Sequence, residues 1–309
     1  MPKSANTLID PKRIDLIQLF VSNAKNLHGL ENQFYNCNLI TSMLPYHEGA
    51  EYCMEIETII DVSGLKKSFG KHEVLKGVDF KIRKGQVFSL LGSNGSGKTT
   101  IVRILSSLSS LNDGKVTICG HDIVTEPTKI RSCISLTGQY AAVDEMLTGR
   151  ENMYLVAKLR HLKNYKARVD ELLKIFGLDE AANKLVKTYS GGMKRKVDIA
   201  MSLLGDPQII FLDEPTTGLD PQSRLSLWKT IEGLKSKGTT IFLTTQYLEE
   251  AERLSDFVAV LDNGKIVSSG TPLELKTALK SLGNQEYESE MPTLEDVFLS
   301  IVNKKGGAK

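Results

Sequence analysis

The stretch Leu91-Gly92-Ser93-Asn94-Gly95-Ser96-Gly97-Lys98-Thr99-Thr100 follows the apolar run Val87-Phe88-Ser89-Leu90-Leu91 and leads into Ile101–Leu105, which can continue as a helix. It fits the pattern Gly, four residues, Gly-Lys-Thr. A strand that feeds a Gly-rich loop and then a helix N-terminus is the setting a phosphate cradle requires. Backbone N–H groups converge on an anion only where no Cβ blocks the approach, which accounts for Gly92, Gly95 and Gly97. The helix that follows aims its unpaired N–H groups and positive dipole end at the same anion. Lys98 supplies a point charge for the β- and γ-phosphates of a nucleotide, and the Thr99 hydroxyl is placed to ligate Mg²⁺.

Two further stretches carry chemistry. Gln208-Ile209-Ile210-Phe211-Leu212-Asp213-Glu214 reads as a buried strand ending in two acids. In a parallel sheet that end is where ligands bind, so Asp213 can hold Mg²⁺ through water and Glu214 can polarise an attacking water. A strand end with a solvated acidic turn is the plain alternative. Ser190-Gly191-Gly192-Met193-Lys194-Arg195 precedes the helix-like run Val197–Leu204. A capping Ser with two glycines offers a second anion site, or simply a capped helix start.

The elements that must position these residues alternate along the chain. Strands are expected at Ile56–Val62, Val78–Ile82, Val116–Cys119, Ile134–Thr137, Ile209–Leu212, Thr240–Leu243 and Phe257–Leu261. Helices are expected at Pro221–Leu234 and Leu248–Leu254, and this alternation predicts parallel strands with crossover helices. From about Gly138 to Tyr189 the pattern turns helical, over Arg150–Leu162 and Ala167–Phe176. It reads as a helical insert between two parts of a sheet domain. No period of 20–50 residues repeats.

The whole chain has 309 residues, enough for one large or two smaller domains. Hydrophobic residues at 41% and charged residues at 25% describe an ordinary globular protein, and a net charge of +2 gives no reason to expect nucleic acid as a partner. The longest apolar runs are strand-sized, whereas a membrane-spanning helix needs about 20 residues. Cys37, Cys53, Cys119 and Cys133 form no Cys-x-x-Cys pair and read as reduced thiols of a cytosolic protein. Residues 1–53 differ from the rest, with six asparagines and no chemical motif. One helix is plausible there, capped by Asp10 with Pro11 at its first position, and Ile14, Ile17, Val21 and Ala24 share a face. The segment reads as an extension of unknown role, and Met54 as the beginning of the domain.

Together the three motifs resemble those of the ATP-binding subunits of ABC transporters, from about Ile56 to about Val302. Gly92–Thr100 resembles the Walker A loop, Ile209–Glu214 Walker B and Tyr189–Met193 the signature motif. The resemblance implies an α/β fold: a P-loop NTPase sheet core of the ABC ATPase type at 54–290, with a helical signature-motif subdomain at about 139–205 and a C-terminal tail at 291–309. It implies ATP and Mg²⁺ as cofactors, with Thr99, Asp213 and Gln139 at the metal and Glu214 as the catalytic base. Gln139 falls at the Q-loop position, Asp220 in the D-loop Gly218-Leu219-Asp220, and Phe69 where an aromatic stacks on adenine, although Phe69 also reads as a core residue. Two departures stand out. Tyr189 and Met193 replace the usual Leu and Gln around Ser190-Gly191-Gly192, and Gln246 stands where the switch histidine is expected. Gln can donate an N–H to a γ-phosphate but does not titrate near neutral pH.

Gly138–Asp144 and Gln246–Ala251 are similar to the daunorubicin-resistance branch of multidrug exporters. The resemblance therefore implies export of a drug-like or lipophilic substrate through a separate transmembrane permease subunit. It also implies a head-to-tail homodimer with ATP between Lys98 of one copy and Ser190-Gly191-Gly192 of the other, peripheral on the cytoplasmic side of the cell membrane. A soluble ABC ATPase acting on ribosomes or DNA is the alternative, although such proteins usually carry two cassettes or a long coiled coil.

Overall fold

A computed structural model of the chain divides into two units, 1–54 and 55–309. It describes residues 57–281 and 291–303, and the helix expected after Asp10 lies outside them.

Within the second unit, two sheets carry the fold. Four strands, β1 (Thr58–Phe69), β2 (His72–Arg83), β4 (Asp113–Ile118) and β5 (His121–Asp122), form an antiparallel sheet in the order β2-β1-β4-β5. The second sheet has six strands: β3 (Val87–Leu91), β6 (Ile134–Thr137), β7 (Ile209–Asp213), β8 (Thr240–Thr245), β9 (Phe257–Asp262) and β10 (Lys265–Gly270). Its order is β10-β9-β3-β8-β7-β6, parallel throughout except for the β9–β10 pair. The parallel strands match the alternation in the sequence. The antiparallel sheet does not, because its first two strands run longer than expected and meet at a tight turn, with Phe69 opposite His72.

Side chains in a strand alternate between faces, and the central sheet uses both. Ile210, Leu212, Ile241 and Leu243 point into one core, which the helices cover. Ile209, Phe211 and Phe242 point into the other, under the antiparallel sheet. That second core holds a train of rings, with Phe88 stacked 5.5 Å from Phe242 and 5.1 Å from Phe80. Burial on both faces explains why β3, β7 and β8 are apolar almost without interruption.

Helix α1 (Lys98–Leu105) follows the Gly-rich loop, and α2 (Pro127–Cys133) leads into β6. Three helices then form the insert. α3 (Gly149–Leu159) starts at a capping box made by Thr148 and Glu151, α4 is Tyr165–Ile175, and α5 (Gly191–Ser202) is capped by Ser190. α6 (Pro221–Lys235) begins with Asp220 as its cap and Pro221 at its first position, and α7 is Leu248–Leu254. Past β10 come α8 (Pro272–Ser281) and α9 (Leu294–Asn303). Leu294 and Val297, in the stretch read as a tail, pack with Leu275, Leu279, Val258 and Val260 in a third core.

Candidate functional site

Four neighbouring strands of the central sheet, in the order β3-β8-β7-β6, end at one edge. The loop Gly92–Gly97 leaves β3, Gln246 follows β8, Asp213 and Glu214 close β7, and Gln139 lies two residues past β6. Residues scattered over more than 150 positions of sequence meet there because parallel strands all point their carboxyl ends the same way.

Helix α1 begins at Gly97, whose φ of 112° lies in the left-handed region, with no side-chain cap and no acid in its first turn. A Cβ at Gly97 would stand 2.8 Å from Leu75 Cδ2, and one at Gly92 would stand 2.5 Å from the Leu261 carbonyl oxygen. Close approach of backbone requires Gly92, and the left-handed φ beside buried Leu75 requires Gly97. The Ser96 hydroxyl is buried with no hydrogen-bond partner. An uncapped helix start, a loop with no room for Cβ atoms and an orphaned hydroxyl together fit a bound phosphate chain. Ser93, Asn94 and Gly95 lie exposed on the loop, with Thr100 half-buried behind them.

Lys98 is buried, and its ammonium donates to the Gly92 and Ser93 carbonyls at 2.8 and 3.1 Å. It also pairs with Glu214 at 3.2 Å. Glu214 accepts from the Thr217 hydroxyl at 3.3 Å as well. Its backbone sits at φ 46°, an uncommon conformation for a residue with a Cβ. Thr244 holds it there: the Glu214 N–H donates to the Thr244 carbonyl at 3.1 Å and to its hydroxyl at 3.0 Å. The same hydroxyl donates to Asp213 Oδ1 at 2.5 Å, fixing both acids through one side chain. Thr99 Oγ1 lies 3.5 Å from that same Asp213 oxygen. A hydroxyl and a carboxylate are hard oxygen donors of the kind Mg²⁺ takes, with phosphates and waters completing the set.

Gln246 is half-buried, next to Thr245, whose carbonyl accepts from the Gly92 N–H at 3.3 Å. That bond ties the residue before Gln246 to the first glycine of the loop. Gln139 is exposed. Ser190 and Gly191 are exposed at the start of α5, where the Ser190 hydroxyl accepts from the Met193 N–H at 3.2 Å. Gly192 is buried against Ser223. Tyr189 fills the place of the usual Leu and donates its hydroxyl to the Ala181 carbonyl at 2.5 Å. Asp220 is exposed and caps α6 by accepting from the Ser223 N–H at 2.9 Å. Phe69 is 55% exposed at the β1–β2 turn, with the Lys67 ammonium 5.1 Å from its ring centre, so it is not a core residue.

Sequence reasoning missed several members of this edge. Thr244 and Thr217 left no signal beyond a Thr near the end of a strand and another after the acids. Arg195 and Asp198 sit in a charged stretch of α5 that reads as solvated, yet both are buried. Glu250 is fully buried, accepts from the Trp228 indole N–H at 2.9 Å, and burial pushes its carboxyl above the usual range.

Residues 75–217 match the profile of the family described as ABC transporter. A daunorubicin resistance ATP-binding protein of Streptomyces coeruleorubidus is 47% identical over 222 residues, covering 71% of this chain and 70% of that protein. The chain belongs to the ABC transporter family. It is one of the family's ATP-binding subunits and an ATPase. A Nod factor export ATP-binding protein of Ralstonia nicotianae is 39% identical over 80% of this chain and 78% of its own length. Among solved structures, an ATP-binding subunit of an ABC transporter superposes with a TM-score of 0.68 at 28% identity, over 79% of this chain and all of that one. A dimeric ATP-binding cassette in a post-hydrolysis state, bound to ADP and phosphate, gives 0.61 at 26% identity, over 69% of this chain and 98% of that one.

Proposed function

We propose that this chain powers export of a lipophilic, drug-like molecule through a separate membrane permease, working as a head-to-tail homodimer on the cytoplasmic face of the membrane. The relatives named for daunorubicin resistance and for Nod factor export support transport over an action on ribosomes or DNA. One observation carries the chemistry: Lys98 and Glu214 meet at 3.2 Å, each fixed by neighbours on a different strand end.

Bound Mg²⁺-ATP would supply the phosphoryl group to be transferred and the divalent charge that offsets its oxygens. Thr99 and Asp213 would hold the metal ion, with Gln139 reaching it from the end of β6. Lys98 binds phosphate oxygens with the ammonium that now holds Glu214. Glu214, released from Lys98, orients the attacking water and takes its proton. The Gln246 amide N–H steadies charge that develops on the phosphate. Phe69, at an exposed turn, offers its ring to the adenine. Ser190 and Gly191 lie at the surface and cap the nucleotide of the partner copy, and the dimer is two-fold symmetric.

Glu214→Gln tests this, because it keeps the shape and removes the base. ATP should still bind, hydrolysis should collapse, and size-exclusion chromatography should show an ATP-dependent dimer. Lys98→Ala should instead weaken ATP binding itself. A Glu214→Gln protein with parental turnover would move the catalytic role elsewhere.

A further inference from the structure

The run Lys194-Arg195-Lys196 is basic, yet its middle member is 4% exposed and its i,i+3 partner Asp198 is 6% exposed. The Arg195 guanidinium spends its donors on three segments of the site. Nε donates to the Pro215 carbonyl at 3.0 Å and Nη2 to the Asp213 carbonyl at 3.3 Å. Nη1 donates to the Gly138 carbonyl at 2.5 Å and to Asp198 Oδ2 at 3.2 Å. The other Asp198 oxygen, Oδ1, accepts from the Ala142 N–H at 3.2 Å.

Two consequences follow from who is held. Asp213 and Pro215 are the residues on either side of Glu214, so one guanidinium grips the backbone on both flanks of the left-handed residue. Gly138 and Ala142 bracket the three residues Gln139, Tyr140 and Ala141, so the ion pair pins both ends of the segment that carries Gln139. A buried ion pair is a poor source of stability, because desolvation offsets the attraction. A planar fork with five donors is, however, a good way to fix several carbonyls in one geometry.

We propose that the Arg195–Asp198 pair is a positioning device for ATP hydrolysis, setting Glu214 and the Gln139 segment in register with the signature helix so that movement of α5 moves both. The proposal rests on the roles given above to Glu214 and Gln139. Arg195 acts on the reaction through these neighbours, as a positioning residue.

The test uses the full-length chain with Arg195→Ala, Arg195→Lys and Asp198→Asn, reading kcat and KM for ATP together with amide hydrogen exchange over 138–143. Loss of a supporting contact of this kind costs about 10–100-fold, so Arg195→Ala should lower kcat by that factor. KM should stay within about twofold, because the lost interaction does not bind substrate. Exchange of the Gln139–Ala142 amides should rise in the same variant. Asp198→Asn keeps one oxygen, for the Ala142 N–H, and sets an amide N–H against Arg195 Nη1, so its kcat should fall between that of the parent and that of Arg195→Ala. Arg195→Lys, which keeps the charge but lacks the fork, should show both the kcat loss and the faster exchange, and it decides the matter if Arg195→Ala does not fold. Parental kcat in the folded Arg195 variants, or a kcat loss with unchanged exchange over 138–143, overturns the proposal. Glu214→Gln run alongside separates the two readings: normal turnover there sinks the role of Glu214, while the exchange result still reports whether Arg195 holds the segment.

Discussion

Glu214 illustrates how single residues set this site, since the Thr244 carbonyl and hydroxyl both accept the N–H of its left-handed backbone. Gln246 is the residue where the site departs most from the common pattern. It brings a neutral amide with no charge to lose, so ATPase activity should show no titration assignable to this position. Gln246→His should introduce a pH dependence near the imidazole pKa of about 6.5 while turnover stays substantial. Gln246→Ala should cost about 2.7–4 kcal/mol of transition-state stabilisation, two to three decades in rate. Turnover measured against pH for the three proteins decides it, and an alanine variant as fast as the parent removes Gln246 from the switch position.

A second residue-scale effect concerns Asp198, whose carboxyl burial pushes up to about 6 despite the Arg195 guanidinium beside it. The folded chain therefore binds this proton more tightly than the unfolded chain does. Stability contributed by the neutral acid is full below the unfolded value and is lost as pH rises towards about 6. Asp198→Asn has no such proton, so the stability of the parent minus that of the variant should fall between pH 4 and pH 7. Urea denaturation at a series of pH values measures the difference, and a flat difference contradicts the assignment.

At the scale of elements, the proposed phosphate loop depends on how closely β2 and β9 approach its glycines. Gly97→Ala would set a Cβ 2.8 Å from Leu75 Cδ2 at a φ of 112°. It should displace the loop and abolish binding of a fluorescent ATP analogue. Gly95 has a φ of 80° but nothing within 4 Å of its Cβ position. Gly95→Ala should thus carry only the left-handed strain, about 1–2 kcal/mol, and should bind the analogue measurably. Equal binding by the two variants would show that β2 does not confine the loop. The insert is an element of another kind. Tyr189 ties the signature to the stretch after α4 by its bond to Ala181, and to the start of α3 by contact with Gly149, where a Cβ would lie 2.5 Å from the phenol oxygen. The Tyr that replaces the usual Leu therefore requires a glycine at the start of α3.

At the scale of the whole molecule, every group assigned to ATP chemistry lies in the second unit, 55–309. A protein beginning at Met54 should therefore bind ATP, dimerise and hydrolyse at the parental rate. Loss of nucleotide binding on removing residues 1–53 would show that segment to be part of the working fold. Leu294 and Val297 of α9 are buried in the third core, so the stretch after residue 290 is a different case. Burying a Leu or Val stabilises by about 1.5–3 kcal/mol each, and the chain should not tolerate loss of α9 as it tolerates loss of the first segment.

The sequence alone determined the residues whose chemistry depends on type and local spacing. A Gly-x-x-x-x-Gly-Lys-Thr loop, an apolar strand ending in Asp213-Glu214 and a capped Ser190-Gly191-Gly192 are each recognisable from adjacent positions, and local geometry follows from adjacent residues. The parallel strands were readable for the same reason, since burial on both faces writes itself as unbroken apolar runs. Only the tertiary structure decided what depends on distant partners. Arg195 looks solvated until Gly138, Asp213 and Pro215 converge on it. Thr244 is one hydroxyl among several until β7 and β8 pair Asp213 with it. Phe69 could have been core or surface, because a strand end gives no sign of where its last side chain points. A partner 30 or 60 residues away leaves no mark on local spacing, and the pairing of strands is what brings it within hydrogen-bonding reach.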